Sequence, residues 1–328
     1  MKAWVVRENG APDSIRFEDV DLPNRADDQV RVRVRAAAVN FPDALLVEGK
    51  YQVRPELPFV PGSEIAGEIE SAPEGSRLQP GQRVIAMLSV GGLNHGGYAE
   101  YADAAATSII PIPDAMPFEH AAAFTITYQT GYFGLHRRAH LQPGEVLLVH
   151  AGAGGVGTAA IQLGKAAGAT VIATASTPEK LEVCRAMGAD HVINYKEDDF
   201  VEAVKALTGG KGADVIYDPV GGDVYDKSTK CINFEGRIVI VGFTSGRIAQ
   251  AATNHLLVKN YSTVGLHWGL YNQRAPHLVP EAFQALFALY AEGKIKPYIS
   301  SARPLSEARE ALMSVAGGKS TGKVVLLP

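Results

Sequence analysis

The sequence predicts an α/β protein: a doubly wound parallel sheet, flanked in the chain by a β-rich lobe. Three observations carry this. The stretch Glu145–Gly168 runs from a short apolar segment, Val146–His150, through Gly152-Ala153-Gly154-Gly155-Val156-Gly157 into a helical pattern, with Val156, Ala160, Leu163 and Ala167 at three- and four-residue spacing. Beyond it, short apolar runs alternate with helical patterns to about residue 268, as a parallel sheet with crossover helices reads. Before it, residues 1 to about 120 are cut into short segments by proline and glycine, as in a compact barrel or sandwich.

Composition narrows the classes. At 328 residues the chain exceeds a comfortable single core, so two domains are expected. A net charge of −4, with Lys and Arg scattered, argues against a nucleic-acid surface. The two cysteines, Cys184 and Cys231, lie far apart and form no Cys-x-x-Cys pattern, so a disulfide framework or cysteine zinc lobe is not expected. They read as small hydrophobes in or near helices. The N-terminal MKAWVVRENG carries charge too early for a signal peptide, and no apolar run approaches membrane-spanning length. The expectation is a cytoplasmic protein without a membrane partner.

Taken in order, Met1–Val6 and Val30–Ala38 read as strands. The second contains Arg31-Val32-Arg33-Val34-Arg35, whose alternation puts valine on one face and arginine in solvent. A short helix is expected at Pro42–Glu48, and strands at Gly62–Ser71 and Gln82–Leu88. From Pro117 the pattern turns helical, with His120–Phe124 and Tyr128–Ala139 leading to the glycine motif. Then follow strand Thr170–Ala175, helix Pro178–Met187, strand His191–Tyr195, helix Asp199–Leu207, strand Ala213–Asp218, helix Tyr225–Ile232, and strands Arg237–Gly242 and Ser262–Leu266. Helices Pro280–Glu292 and Leu305–Ala316 precede a last strand, Lys323–Leu327. The domains are therefore drawn as 121–268 for the nucleotide and 1–120 with 269–328 for the β-rich lobe.

The glycine motif has a physical reading. Gly152 permits the tight turn, Gly154 lets the backbone approach a pyrophosphate, and Gly157 lets the helix pack close to its strand. The N–H groups around Gly155 and Val156, unpaired at the helix start, face the phosphates where the helix dipole favours negative charge. An NAD site usually ends its second strand in Asp or Glu; here that strand ends Thr174-Ala175-Ser176-Thr177. Ser176, Lys180 on the next helix and Tyr195 at the third strand's end offer a hydroxyl, an ammonium and a phenol. These suit the 2′-phosphate of NADPH. Alternatively Ser176 is a cap, Lys180 a solvated charge, and Glu179 turns to the ribose.

Asn40-Phe41-Pro42-Asp43, Pro61-Gly62-Ser63-Glu64, Gly96-Gly97-Tyr98-Ala99-Glu100, Ala151–Gly157 and Thr321-Gly322-Lys323 together resemble the medium-chain dehydrogenase/reductase superfamily, within it the quinone oxidoreductase group related to zeta-crystallin. The resemblance spans the whole chain and implies a Rossmann domain beside a GroES-like substrate domain. Zinc-dependent members bind catalytic zinc through a cysteine near the first helix and a Gly-His-Glu segment. This chain has Asn40 and Ser63 there, and Glu64 alone does not make a three-ligand site. His136 and His140, four apart, read as exposed helix-end residues, so no metal is expected.

Without a metal, the feasible chemistry is hydride transfer from NADPH to an acceptor that delocalises the resulting charge: a quinone, or an alkene conjugated to a carbonyl. The resemblance places Asn40 at the nicotinamide and Tyr51 at the acceptor, where its phenol orients a carbonyl or gives a proton; a core aromatic is the plainer alternative. Asp43 is expected to support Asn40 or cap the helix. Thr130 is expected at the phosphate side and Lys323 at the cofactor. Gly242, Phe243, Leu266, His267 and Trp268 end strands beside the nicotinamide half, where Phe243 and Trp268 are equally readable as core. Leu45 stands where some relatives carry tyrosine. An enoyl-thioester reductase and a non-catalytic NADPH-binding sensor or structural protein are the rival readings. Relatives pair a sheet edge such as Ser262–Leu266 across a two-fold axis, so a homodimer is expected.

Overall fold

A computed structural model describes residues 1–328. Two compact units are present: Met1–Thr125 with Pro297–Pro328, and Ile126–Lys296. No helix is long and apolar enough to cross a membrane.

The first unit opens with β1 (Lys2–Val5) paired antiparallel to β2 (Arg16–Asp19). Its spine is β3 (Gln29–Val39), where Val30, Val32 and Val34 are buried while Arg31 clamps the Asp103 carboxylate with two hydrogen bonds of 2.8 Å. That is the expected alternation, though Arg31 is tied down rather than solvated. After α1 (Phe41–Val47) come β4 (Glu64–Ser71), β5 (Arg83–Met87), β6 (Tyr101–Ala105) and β7 (Ile109–Pro111), then α2 (Phe118–Ala122). Isoleucines and valines of β3, β4 and β5 fill the core with Phe59 and Tyr98.

The second unit holds the parallel sheet. α3 (Thr125–Tyr132) begins at its boundary and runs into a π-helical turn, Phe133–Arg138. There His136 is half-buried against the Tyr132 ring, not exposed as expected, and burial lowers its pKa. Then alternate β8 (Val146–Val149), α4 (Gly155–Ala166), β9 (Thr170–Ala175), α5 (Pro178–Ala186), β10 (His191–Asn194), α6 (Phe200–Leu207), β11 (Ala213–Asp218), α7 (Gly222–Ser228) and β12 (Ile232–Ile240). α8 (Thr253–Lys259) leads to β13 (Ser262–Gly265). The six strands lie in the order β10-β9-β8-β11-β12-β13, all parallel, so the winding reverses between β8 and β11. α7 starts and ends earlier than the sequence implies, because Gly221 and Gly222 both hold positive φ and Ile232 already pairs with Ala213.

The segment after β13 corrects the expected division. α9 (Tyr271–Arg274) and α10 (Leu278–Ala291), assigned from sequence to the β-rich lobe, belong to the nucleotide unit. Tyr271 stacks on Phe133 at 4.2 Å, Gln129 donates to the Val279 carbonyl at 3.4 Å, and Gln162 of α4 holds both the N–H and C=O of Lys296. The chain then returns to the first unit with β14 (Ile299–Pro304), α11 (Ala308–Ala316) and β15 (Lys323–Leu327). There the sheet order is β14-β15-β3-β4-β5-β7, with β6 on β3.

Candidate functional site

In the nucleotide unit, β8 passes into the glycine turn through Ala151, a non-glycine residue at φ 50°. Gly154 is the N-cap of α4 and carries no side chain to cap it. The first-turn N–H groups of the 12-residue helix therefore stay open, with the dipole behind them. A Cβ on Gly157 would lie 2.3 Å from the Ala151 carbonyl, so this helix start tolerates only glycine there. A Cβ on Gly154 would meet only that carbonyl, at 3.3 Å, and otherwise open space. An uncapped helix start with room above it is the cradle a pyrophosphate needs.

Beside it, Asn194 pairs with Ala175, which puts Tyr195 and Ser176 at neighbouring strand ends. Thr177 caps α5, accepting the Lys180 N–H at 3.3 Å, and its hydroxyl also engages Glu179. Lys180 thus stands on the first turn of α5, and no carboxylate ends β9. Gly242 and Phe243 follow β12, and Leu266, His267 and Trp268 follow β13, at adjacent strand ends. Phe243 walls a shallow apolar hollow with Gly221, Tyr225, Ile240 and Thr263, whereas Trp268 is buried. Thr130 is buried on α3, which touches α4 where Gly131 approaches Leu163.

Two side chains here escaped the sequence reading. Asp218 ends β11 at the reversal of winding; its Oδ1 accepts the Val220 and Gly221 N–H groups, and burial raises its pKa. His150 ends β8. Ser228 donates its proton to the Val224 carbonyl at 2.7 Å, so it accepts from Nε2–H of His150, and Nδ1 accepts from Thr174. Both ring nitrogens are thus satisfied with the imidazole neutral, and burial pushes its pKa down to about 3. The unfolded chain takes up this proton near its ordinary value and the folded one does not. Stability present above that value is lost as pH falls toward 3. The advantage of wild type over His150→Gln in urea unfolding is expected to shrink by about 2 kcal/mol between pH 8 and pH 5. An unchanged difference would refute the neutral buried ring.

The β-rich unit gathers a second set of residues. Asn40 follows β3 and is the N-cap of α1; its backbone N–H donates to Asp43 Oδ2 at 2.8 Å, as in a capping box. Gly62, at φ 99° against the Tyr98 ring, turns the chain into β4 and places Ser63 and Glu64. Ser63 donates to Asp43 Oδ1 at 3.0 Å and Tyr98 to Oδ2 at 3.1 Å. Burial pushes the Asp43 carboxyl up to about 6, against the pull of these donors and of the Lys323 charge. Burial, then the Asp43 charge, raises Tyr51, which stands half-buried beside this cluster.

Lys323, opening β15, is placed otherwise than expected. Its ammonium meets Asn40 Oδ1 at 2.5 Å, Glu64 Oε1 at 2.8 Å and the Val39 carbonyl at 3.4 Å. Three oxygens take its three donors, leaving none for a cofactor. The Asn40 carboxamide is also committed, since Nδ2 donates to Glu64 at 3.0 Å and to the Ala38 carbonyl at 3.4 Å. Asn40 is thus held on both its amide oxygen and its amide nitrogen. No group of three or more His, Cys, Asp or Glu side chains is disposed to hold a metal.

A nucleotide-binding parallel sheet inserted into a β-rich unit defines a medium-chain dehydrogenase/reductase. A family model described as alcohol dehydrogenase GroES-like domain matches residues 26–114, and one described as zinc-binding dehydrogenase matches 155–288. The chain is 42% identical to a quinone oxidoreductase-like protein 2 homolog of Nematostella vectensis, over 99% of this chain and 88% of that one. It superposes on Escherichia coli quinone oxidoreductase complexed with NADPH with a TM-score of 0.92, 30% identity and full coverage of both chains. A mycobacterial protein complexed with NADPH gives 0.91 at 31%, again over both whole chains. The chain belongs to the quinone oxidoreductase group of the medium-chain dehydrogenase/reductase superfamily.

Proposed function

We propose that this chain is an NADPH-dependent reductase that passes hydride to quinones or to alkenes conjugated with a carbonyl. The observation that carries the reading is the uncapped start of α4, next to a β9 that ends without a carboxylate and is followed by Ser176, with Lys180 on the first turn of α5 and Tyr195 after the neighbouring β10. When bound, NADPH supplies the hydride. The chain's part is to hold and orient: the N–H groups of Gly155, Val156 and Gly157 take the pyrophosphate, while Ser176, Lys180 and Tyr195 take the 2′-phosphate. Asn40 and Ser63 are neutral, and the one neighbouring carboxylate of β4, Glu64, is already paired with Lys323. The acceptor itself must then delocalise the charge, as a quinone or enone does. To Tyr51 we assign orienting its carbonyl or returning a proton.

The test is purified protein with NADPH and a panel of quinones, enones and one enoyl-thioester beside its free enone. Nicotinamide absorbance is expected to fall with the quinones or enones; no fall with any acceptor rules the reading out. Lys180→Ala is expected to weaken NADPH about tenfold and NADH less than about twofold. Equal weakening of both would remove Lys180 from the phosphate site. We also infer a homodimer through β13, an edge strand near which Leu257 and Val258 of α8 are 76% and 74% exposed. Gel filtration at two concentrations checks it.

A further inference from the structure

We propose that Lys323 is an internal cation: its ammonium fills an oxygen-lined seat in the β-rich unit that would otherwise admit a metal ion, and by filling it locks the Asn40 carboxamide in one orientation. Three oxygens from two parts of the chain surround Nζ: the Val39 carbonyl at the end of β3 and Asn40 Oδ1 next to it, before α1, and Glu64 Oε1 at the start of β4. Lys323 comes from a third segment, and the Lys323 and Glu64 side chains are only 5% and 0% exposed. A buried seat with one full negative charge and two neutral oxygens is a donor set that hard cations accept. A surface ion pair does not explain it, because both ions are out of water and the lysine spends all its donors on fixed partners.

Such a seat has two consequences. The ammonium bonds Oδ1 while Glu64 takes Nδ2, so a flipped amide would set a donor against the cation and an oxygen against the carboxylate. Lys323 is in this sense a positioning residue for Asn40. The second consequence is exclusion. Asn40 and Glu64 touch at 3.0 Å, and Ser63 adjoins Glu64 while bonding Asp43, so positions 40, 63 and 64 converge. A divalent ion bound there would face an ammonium at close range, and like charges in a poorly solvated site repel strongly.

Metal uptake tests this without cofactor or acceptor, so its outcome is independent of the proposed reaction. Asn40→Cys/Ser63→His supplies thiolate and imidazole next to Glu64, a ligand set that zinc prefers. With Lys323→Met added, the protein is expected to retain about one zinc per chain after dialysis. With Lys323 kept, its zinc affinity, read by competition with a chromophoric chelator, is expected to be at least about a hundredfold lower. A second measurement leaves the ligands unaltered: Mn²⁺ is expected to raise the thermal midpoint of Lys323→Met and not that of wild type. Equal zinc affinity with and without the lysine, no zinc in the folded triple variant, or an Mn²⁺ response absent from Lys323→Met or shared by wild type would each overturn the proposal. Should the triple variant fail to fold, the Mn²⁺ comparison decides.

Discussion

Lys323→Met is expected to destabilise the β-rich unit by about 3–5 kcal/mol, lowering its thermal midpoint by about 10 °C or more. The size follows from what is left behind. Glu64 is fully buried, and its Oε1 takes hydrogen bonds from both Lys323 and Asn40. Methionine has a similar length and no charge, so the carboxylate would stay out of water without its ammonium. Removing both charges is a different matter. In Lys323→Met/Glu64→Gln no ion is stranded, and most of the loss is expected to return, because a buried pair repays little more than the desolvation of its members. Urea or thermal unfolding of wild type, both single variants and the double variant closes the cycle. Single-variant losses that simply add in the double variant would show that the two ions do not depend on each other.

That interaction also marks the limit of what the sequence revealed. The nucleotide unit was legible because its rules are local: apolar strands, a glycine turn and a helix follow one another within 24 residues, and the crossover helices fix a parallel sheet. Short strands lacking a pattern were not. β2 is nearly all exposed, and β14 alternates only between half-buried and exposed, so neither has a buried apolar face to announce it. The π-helical turn after α3 carries no composition of its own. Buried polar partners were harder still. Lys323 lies 283 residues from Asn40 and 259 from Glu64, and no spacing rule links positions so far apart. His150 offered a faint signal: a histidine ending an apolar strand, with Thr174 close to the end of the next, is a buried ring with a hydroxyl partner. Helices α9 and α10 went to the wrong unit because their ties to α3 and α4, the Phe133–Tyr271 stack and Gln162 on Lys296, are tertiary and leave the periodicity unchanged.

Gly157→Ala is expected to weaken NADPH binding by more than about a hundredfold and to destabilise the nucleotide unit by about 2–4 kcal/mol. The added methyl would sit 2.3 Å from the Ala151 carbonyl and 2.8 Å from Gly152 Cα, and all of these are main-chain atoms without a rotamer to relax. Ala151 already holds φ 50°, so the turn has little freedom to yield, and the start of α4 must lift from β8. Gly154→Ala provides the contrast. Its methyl would meet only the Ala151 carbonyl, at 3.3 Å, and stability is expected to change by less than about 1 kcal/mol. Yet that methyl would project into the space above the uncapped helix start, so NADPH binding is still expected to fall about tenfold. One glycine answers to the fold and the other to the ligand. Cofactor fluorescence titration and urea unfolding of the two variants separate these roles; Gly154→Ala protein that binds NADPH as wild type does would mean that the phosphates do not approach α4 there.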